Sequence, residues 1–106
     1  MLIQVVTFNL DGLSDEDYRS ACEQQWATQV AAMPGLVSKT WLANSETNTY
    51  GGVYVWESTS VMDQYARTDF FRAFASDPRI VNLRSEVFGV IEAASRLTNG
   101  LGVVLV

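Results

Sequence analysis

A helix stop followed at once by two strands constrains this chain more than any other feature. In Met33-Pro34-Gly35-Leu36, Pro34 disfavours helical geometry at Met33, and Gly35 is free to take the left-handed turn that follows a helix. Leu36-Val37-Ser38-Lys39-Thr40-Trp41-Leu42-Ala43 is rich in β-branched and aromatic residues and reads as a strand. The polar run Asn44-Ser45-Glu46-Thr47-Asn48-Thr49 reads as a loop, and Gly51-Gly52-Val53-Tyr54-Val55-Trp56 as the returning strand. With a helix on either side, the hairpin belongs in the middle of a small α+β sheet.

The flanking segments supply the rest of that sheet and its helices. Residues 2 to 10 form a first strand, mostly apolar on both faces and ending at Asn9 before the turn Asp11-Gly12. Ser14 is placed to cap a helix, with Asp17 three residues on and three acids in the first turn to suit the helix dipole. Tyr18, Cys22, Trp26, Val30 and Met33 then form one apolar stripe. After the hairpin, Ser58 or Ser60 caps a second helix, and Thr68-Asp69 breaks it with a fresh cap. Phe70, Phe71 and Phe74 carry it on to Asp77-Pro78. A last strand is expected at about residues 83 to 91. Asn99-Gly100 reads as a turn, and the apolar tail at about 100 to 106 as a possible fifth strand at a dimer interface. The order β-α-β-β-α-β is the split-βαβ, ferredoxin-like pattern with an antiparallel sheet, in a single domain over residues 1 to 106. Strands apolar on both faces leave one sheet face without a cover, which a homodimer packing sheet on sheet would supply.

Composition removes several function classes. The net charge of −5 leaves no basic face for nucleic acid. No apolar run approaches a membrane span, and the first residues lack the positive region of a signal peptide. The one cysteine, Cys22, forms no internal disulfide and suits a reducing, cytoplasmic setting. The chain has no histidine, so no Ser-His-Asp triad and no Cys-His dyad is possible. No Cys/His cluster has metal spacing, and Gly51-Gly52 lacks the Lys-Ser/Thr of a phosphate loop.

Pro34-Gly35-Leu36, the Lys39-Thr40-Trp41 strand, the Ser45-Glu46 loop, Gly51-Gly52-Val53-Tyr54 and Glu86-Val87-Phe88-Gly89-Val90 resemble the YdhR-type monooxygenases. That family belongs to the dimeric α+β barrel superfamily, with the antibiotic-biosynthesis monooxygenases. The resemblance implies a ferredoxin-like subunit whose sheet packs on its twin, with a ligand pocket between sheet and helices. It implies a cofactor-independent monooxygenase acting on a small aromatic or polycyclic substrate, with no metal or flavin. A polyketide cyclase, a lactone isomerase and a non-catalytic binder of small hydrophobic molecules are the alternatives on the same scaffold. Haem-degrading relatives pair an Asn on the first strand with a Trp and an iron-ligating His. Asn9 resembles that Asn and Tyr65 stands where the Trp would be. The His position falls near Ala75, which excludes imidazole ligation of haem.

The expected catalytic residues are Asn9, Trp41 and Tyr65. Asn9 offers amide donors for a phenol or oxyanion, or else serves only the turn. Trp41 and Tyr54 lie on neighbouring strands and wall either a pocket or a packed core. Trp26, Tyr65, Phe70 and Phe74 face the sheet from the helices, with the Tyr65 hydroxyl as an orienting handle. Tyr54, Trp26, Phe70 and Phe74 are thus the expected substrate contacts. Arg67, Arg72 and Arg84 are read either as partners for a substrate carboxylate or phenolate or, for most of them, as solvated surface groups.

Overall fold

The computed structural model describes residues 1 to 100, so the apolar tail at 101 to 106 lies outside the described residues. β1 (Leu2–Leu10) runs through the interior of a four-stranded antiparallel sheet. The hairpin strands β2 (Leu36–Asn44) and β3 (Thr49–Trp56) lie on one side of it and β4 (Ile80–Gly89) on the other, in the order β2-β3-β1-β4. α1 (Asp15–Ala21), a π-turn (Cys22–Trp26) and α2 (Ala27–Ala31) connect β1 to β2. α3 (Thr59–Ala66) and α4 (Asp69–Ser76) connect β3 to β4, and α5 (Glu92–Leu97) follows. This is the ferredoxin-like arrangement expected from the element order.

The helix boundaries follow their caps. The hydroxyls of Ser14, Ser58 and Thr68 accept from the backbone N–H groups of Asp17, Val61 and Phe71. The first helical segment ends at Ala31, and Gly35 turns the chain into β2 at φ +78; a Cβ there would lie 2.5 Å from the Val61 side chain, so α3 rests directly on this turn.

The structure refines three expectations. The first helix is not continuous. Four-residue spacings such as Tyr18-Cys22-Trp26-Val30 drift by about 40° a step on a regular α-helix. The π-turn at Cys22–Trp26 absorbs that drift and keeps Tyr18, Cys22 and Val30 buried. β4 begins at Ile80 rather than 83 and ends at Gly89. Asn82 sits inside it at φ 57, where the register against β1 shifts. The short α5 went unread because it has no side-chain cap and no buried residue.

One face of the sheet carries the core. Val6, Phe8 and Leu10 of β1 and Tyr50, Tyr54 and Trp56 of β3 are buried there against Tyr18, Cys22, Val30 and Tyr65 of the helical segments. Trp56 is fully buried, and its indole N–H donates to Gln4 Oε1 at 2.9 Å. The opposite face carries Ile3, Val5, Val53 and Val55 in cross-strand register, with Phe88 beside Ile3. Both core clusters lie on the first face.

Candidate functional site

The site grows out of the register between β2 and β3. Lys39 pairs with Tyr54 and Trp41 with Gly52, so Lys39 and Trp41 point to the helix-covered face. Gly52 has no side chain, and the Lys39 stem occupies the space: a Cβ on Gly52 would lie 2.6 Å from Lys39 Cε. The Lys39 ammonium reaches back over two rings, 3.4 Å from the Trp41 ring centre and 4.4 Å from that of Tyr54.

The rings around it are in continuous contact. Tyr54 stacks on Trp56 at 5.5 Å with the planes 8° apart, and its hydroxyl lies 3.4 Å from that of Tyr65. Tyr18 meets Trp26 edge-on at 5.6 Å, and Trp26 meets Phe74 at 5.6 Å. Together they close a chamber of about 20 Å³. Two open clefts flank it between edge strand β2 and the helical segment. One, of about 270 Å³, runs from Tyr18, Cys22 and Glu23 to Trp41 and Ala43. The other, of about 310 Å³, runs from Ala27 and Val30 to Lys39 and Trp41. Trp41 borders all three spaces and Lys39 borders the chamber and the second cleft.

Burial sets the electrostatics. It holds the hydroxyls of Tyr18, Tyr54 and Tyr65 above the usual phenol range and pushes the Cys22 thiol up. For Lys39 it acts the other way, lowering the amine to about 7, opposed by the facing Cys22. The ring faces, which attract the cation, also oppose it. The space therefore has neutral, polarisable walls and a single basic group.

Trp26, Trp41, Tyr54, Tyr65, Phe70 and Phe74, named from sequence, all border this chamber. Asn9 stands apart from it. Its amide donates to the Asn48 carbonyl at 2.6 Å and accepts from the Asn82 amide at 2.9 Å. Asn48 in turn bonds both backbone groups of Leu10. Asn9 thus ties the hairpin loop and the β4 bulge to the end of β1, with its donor and acceptor both engaged. Arg67, Arg72 and Arg84 are exposed, as expected. Lys39 was missed as a site residue. The signal was its alternation with Trp41 on a strand facing two glycines, which puts an amine on an apolar face.

Residues 2–101 match the family model described as "Putative mono-oxygenase ydhR". No curated protein matches in sequence. Among solved structures, the chain is similar to SnoaB, a cofactor-independent oxygenase from Streptomyces nogalater. The match has 22% identity and a TM-score of 0.68, covering 86% of this chain and 93% of SnoaB. An antibiotic biosynthesis monooxygenase aligns at 8% identity and TM-score 0.69, over 86% of this chain and 99% of its own. The heme-degrader MhuD of Mycobacterium tuberculosis, solved with two hemes bound, aligns at 17% and 0.67, over 86% and 96%. These likenesses establish a shared fold. A haem does not fit the site seen here, since the chain has no histidine and the chamber encloses about 20 Å³.

Proposed function

This chain belongs to the ydhR mono-oxygenase family, and on that premise we propose that it oxygenates a small aromatic substrate held between sheet and helices, without metal or flavin. The observation that carries the reading is the pair of clefts meeting at Trp41 above a chamber walled by rings. A cleft of about 310 Å³ lies at the lower end of the range for small-molecule sites and suits one or two fused rings. A polycyclic substrate would need Trp41 to move. Trp41 and Tyr54 offer faces for stacking, and the Tyr65 hydroxyl orients the ring. In the reaction, a phenol with an unsubstituted para carbon reduces dioxygen and becomes a quinone: the O–H and para C–H bonds break, one oxygen atom enters as the new carbonyl, and the other leaves as water with the two hydrogens. The dry walls suit this chemistry because they keep water from a reactive intermediate.

The protein is proposed to work in the cytoplasm as a homodimer, with the second sheet face and β4 as the contact. Val87 is 47% exposed and Phe88 51% exposed on this edge strand, a large apolar surface to leave in water. The functional test is oxygen uptake with a panel of naphthols under isotope-labelled dioxygen. One labelled atom in the product is expected. Binding with no uptake would make the protein a binder of small hydrophobic molecules. A rearranged product with no uptake would make it a cyclase or isomerase.

A further inference from the structure

Lys39 is the feature that the oxygenase reading leaves without a task. Its Nζ lies against ring faces, and among the described residues none of the ion pairs involves it. The titratable groups that face it are Tyr18 and Cys22 from the first helical segment, Tyr54 from β3 and Tyr65 from α3. Burial favours the uncharged form of each. Arg19 and Glu23 line the cleft on the far side of Trp41. A half-buried amine in neutral surroundings lacks the anion that would balance its charge. Gly52 leaves the room for it, and the second cleft opens directly onto it.

Resting on the aromatic-substrate reading, we infer that the chamber and its second cleft form a proton-accepting site for a ring that carries an acidic hydroxyl, a phenol or an enol, with Lys39 Nζ as the acceptor. The ligand O–H bond breaks, the proton forms a third N–H bond on the amine, and phenolate and ammonium remain as an ion pair between the rings. The aromatic walls select a flat ligand. The amine selects the acid. A carboxylic acid arrives already ionised and needs no base. A weak hydroxyl acid whose proton affinity is close to that of Lys39 exchanges its proton readily, and an amine lowered to about 7 is matched to such an acid.

The test uses 4-nitrophenol, whose phenolate absorbs in the visible, with the intact protein buffered at the midpoint of the free probe, where much of Lys39 is still the free amine. Binding should ionise the probe, lowering its midpoint by about 1–3 units as a neighbouring cation does. Lys39→Met, with its fold checked by circular dichroism, should bind the neutral probe and lose the visible band. Should that variant fail to fold, an NMR titration of the wild-type Lys39 amine replaces it: its midpoint should rise when the probe binds. A wild-type protein that binds only the neutral phenol, a Lys39→Met that ionises it equally, or an amine midpoint unmoved by the probe each overturns the inference. So does benzoate binding tenfold more tightly than the probe through Lys39, which would make the site a receptor for preformed carboxylates. Ionisation needs no dioxygen. Ionised probe without naphthol oxygenation removes the oxygenase and keeps the site; uptake undiminished in Lys39→Met removes the site and keeps the oxygenase.

Discussion

The two edge strands of the sheet are built for opposite ends. β2 has one side roofed by the π-turn and α2, and its Lys39 and Trp41 are half-buried. β4 is exposed along almost its whole length, from Asn82 to Gly89, with Val87 and Phe88 on its two faces. Each edge has an unpaired row of backbone groups, yet only one is sheltered. A roofed edge makes a cleft, because helix and strand cannot close fully over large rings. An unroofed edge makes a surface that another chain can cover.

The largest way to break the contrast is to remove the strand that supports it. A Cβ on Gly51 would overlap the Val6 carbonyl oxygen of the neighbouring strand. Gly51→Ala should cost about 4 kcal/mol or more, and leave little folded protein in a thermal melt. Next comes the open edge. Phe88→Asp should weaken self-association by about a hundredfold in sedimentation, as loss of an interface hot spot does. It should leave probe binding at the β2 cleft unchanged. Equal loss at both would mean that the edges are not independent.

The roofed edge has its own pH signature. Lys39 falls from the ordinary 10.5 to about 7 in the folded chain. Between those values the unfolded chain holds a proton that the folded chain has lost. Stability should therefore rise with pH from 7 towards about 10, by roughly 2 kcal/mol once the ring contacts offset part of the burial cost. Below pH 7 both states are charged and the slope ends. Above about 10 the buried tyrosines reverse it, because the unfolded chain ionises first. Urea titrations across this range should show the rise in the wild type and a flat line in Lys39→Met. Smaller still is Asn9→Ala. It removes the tie between Asn48 and Asn82 and should cost about 1 kcal/mol, with the cleft's ligand affinity unchanged.

Much of the fold was legible because it rests on local chemistry. Ser14, Ser58 and Thr68 announce their helices by capping, and Pro34-Gly35 announces a stop. The site was legible only as residue types. That Trp41 and Tyr54 share a face depends on the register of β2 against β3, which pairs Trp41 with Gly52 and Lys39 with Tyr54. Periodicity on each strand leaves the relative register open. Lys39 escaped notice because a lysine on a strand reads as solvent-facing. The missing side chain of Gly52 makes room for it on the covered face, where it is half-buried. Asn9 was legible both as a donor and as a turn residue, and its partners in the fold are the loop and the bulge.

The π-turn has a consequence for the length of the chain itself. Tyr18 and Val30 are twelve residues apart, and at about 100° per residue a regular helix would set them some 120° out of phase. They are both buried because the wide turn takes up one residue without advancing the rotation. Removing one residue inside the turn, such as the exposed Gln24, should then heal the segment into an ordinary α-helix with its apolar stripe intact. Single deletions within helices ordinarily rotate everything that follows out of the core. Here the shortened protein should melt close to the wild type. The segment carries a tolerated surplus residue, and it carries it in the wall of the cleft.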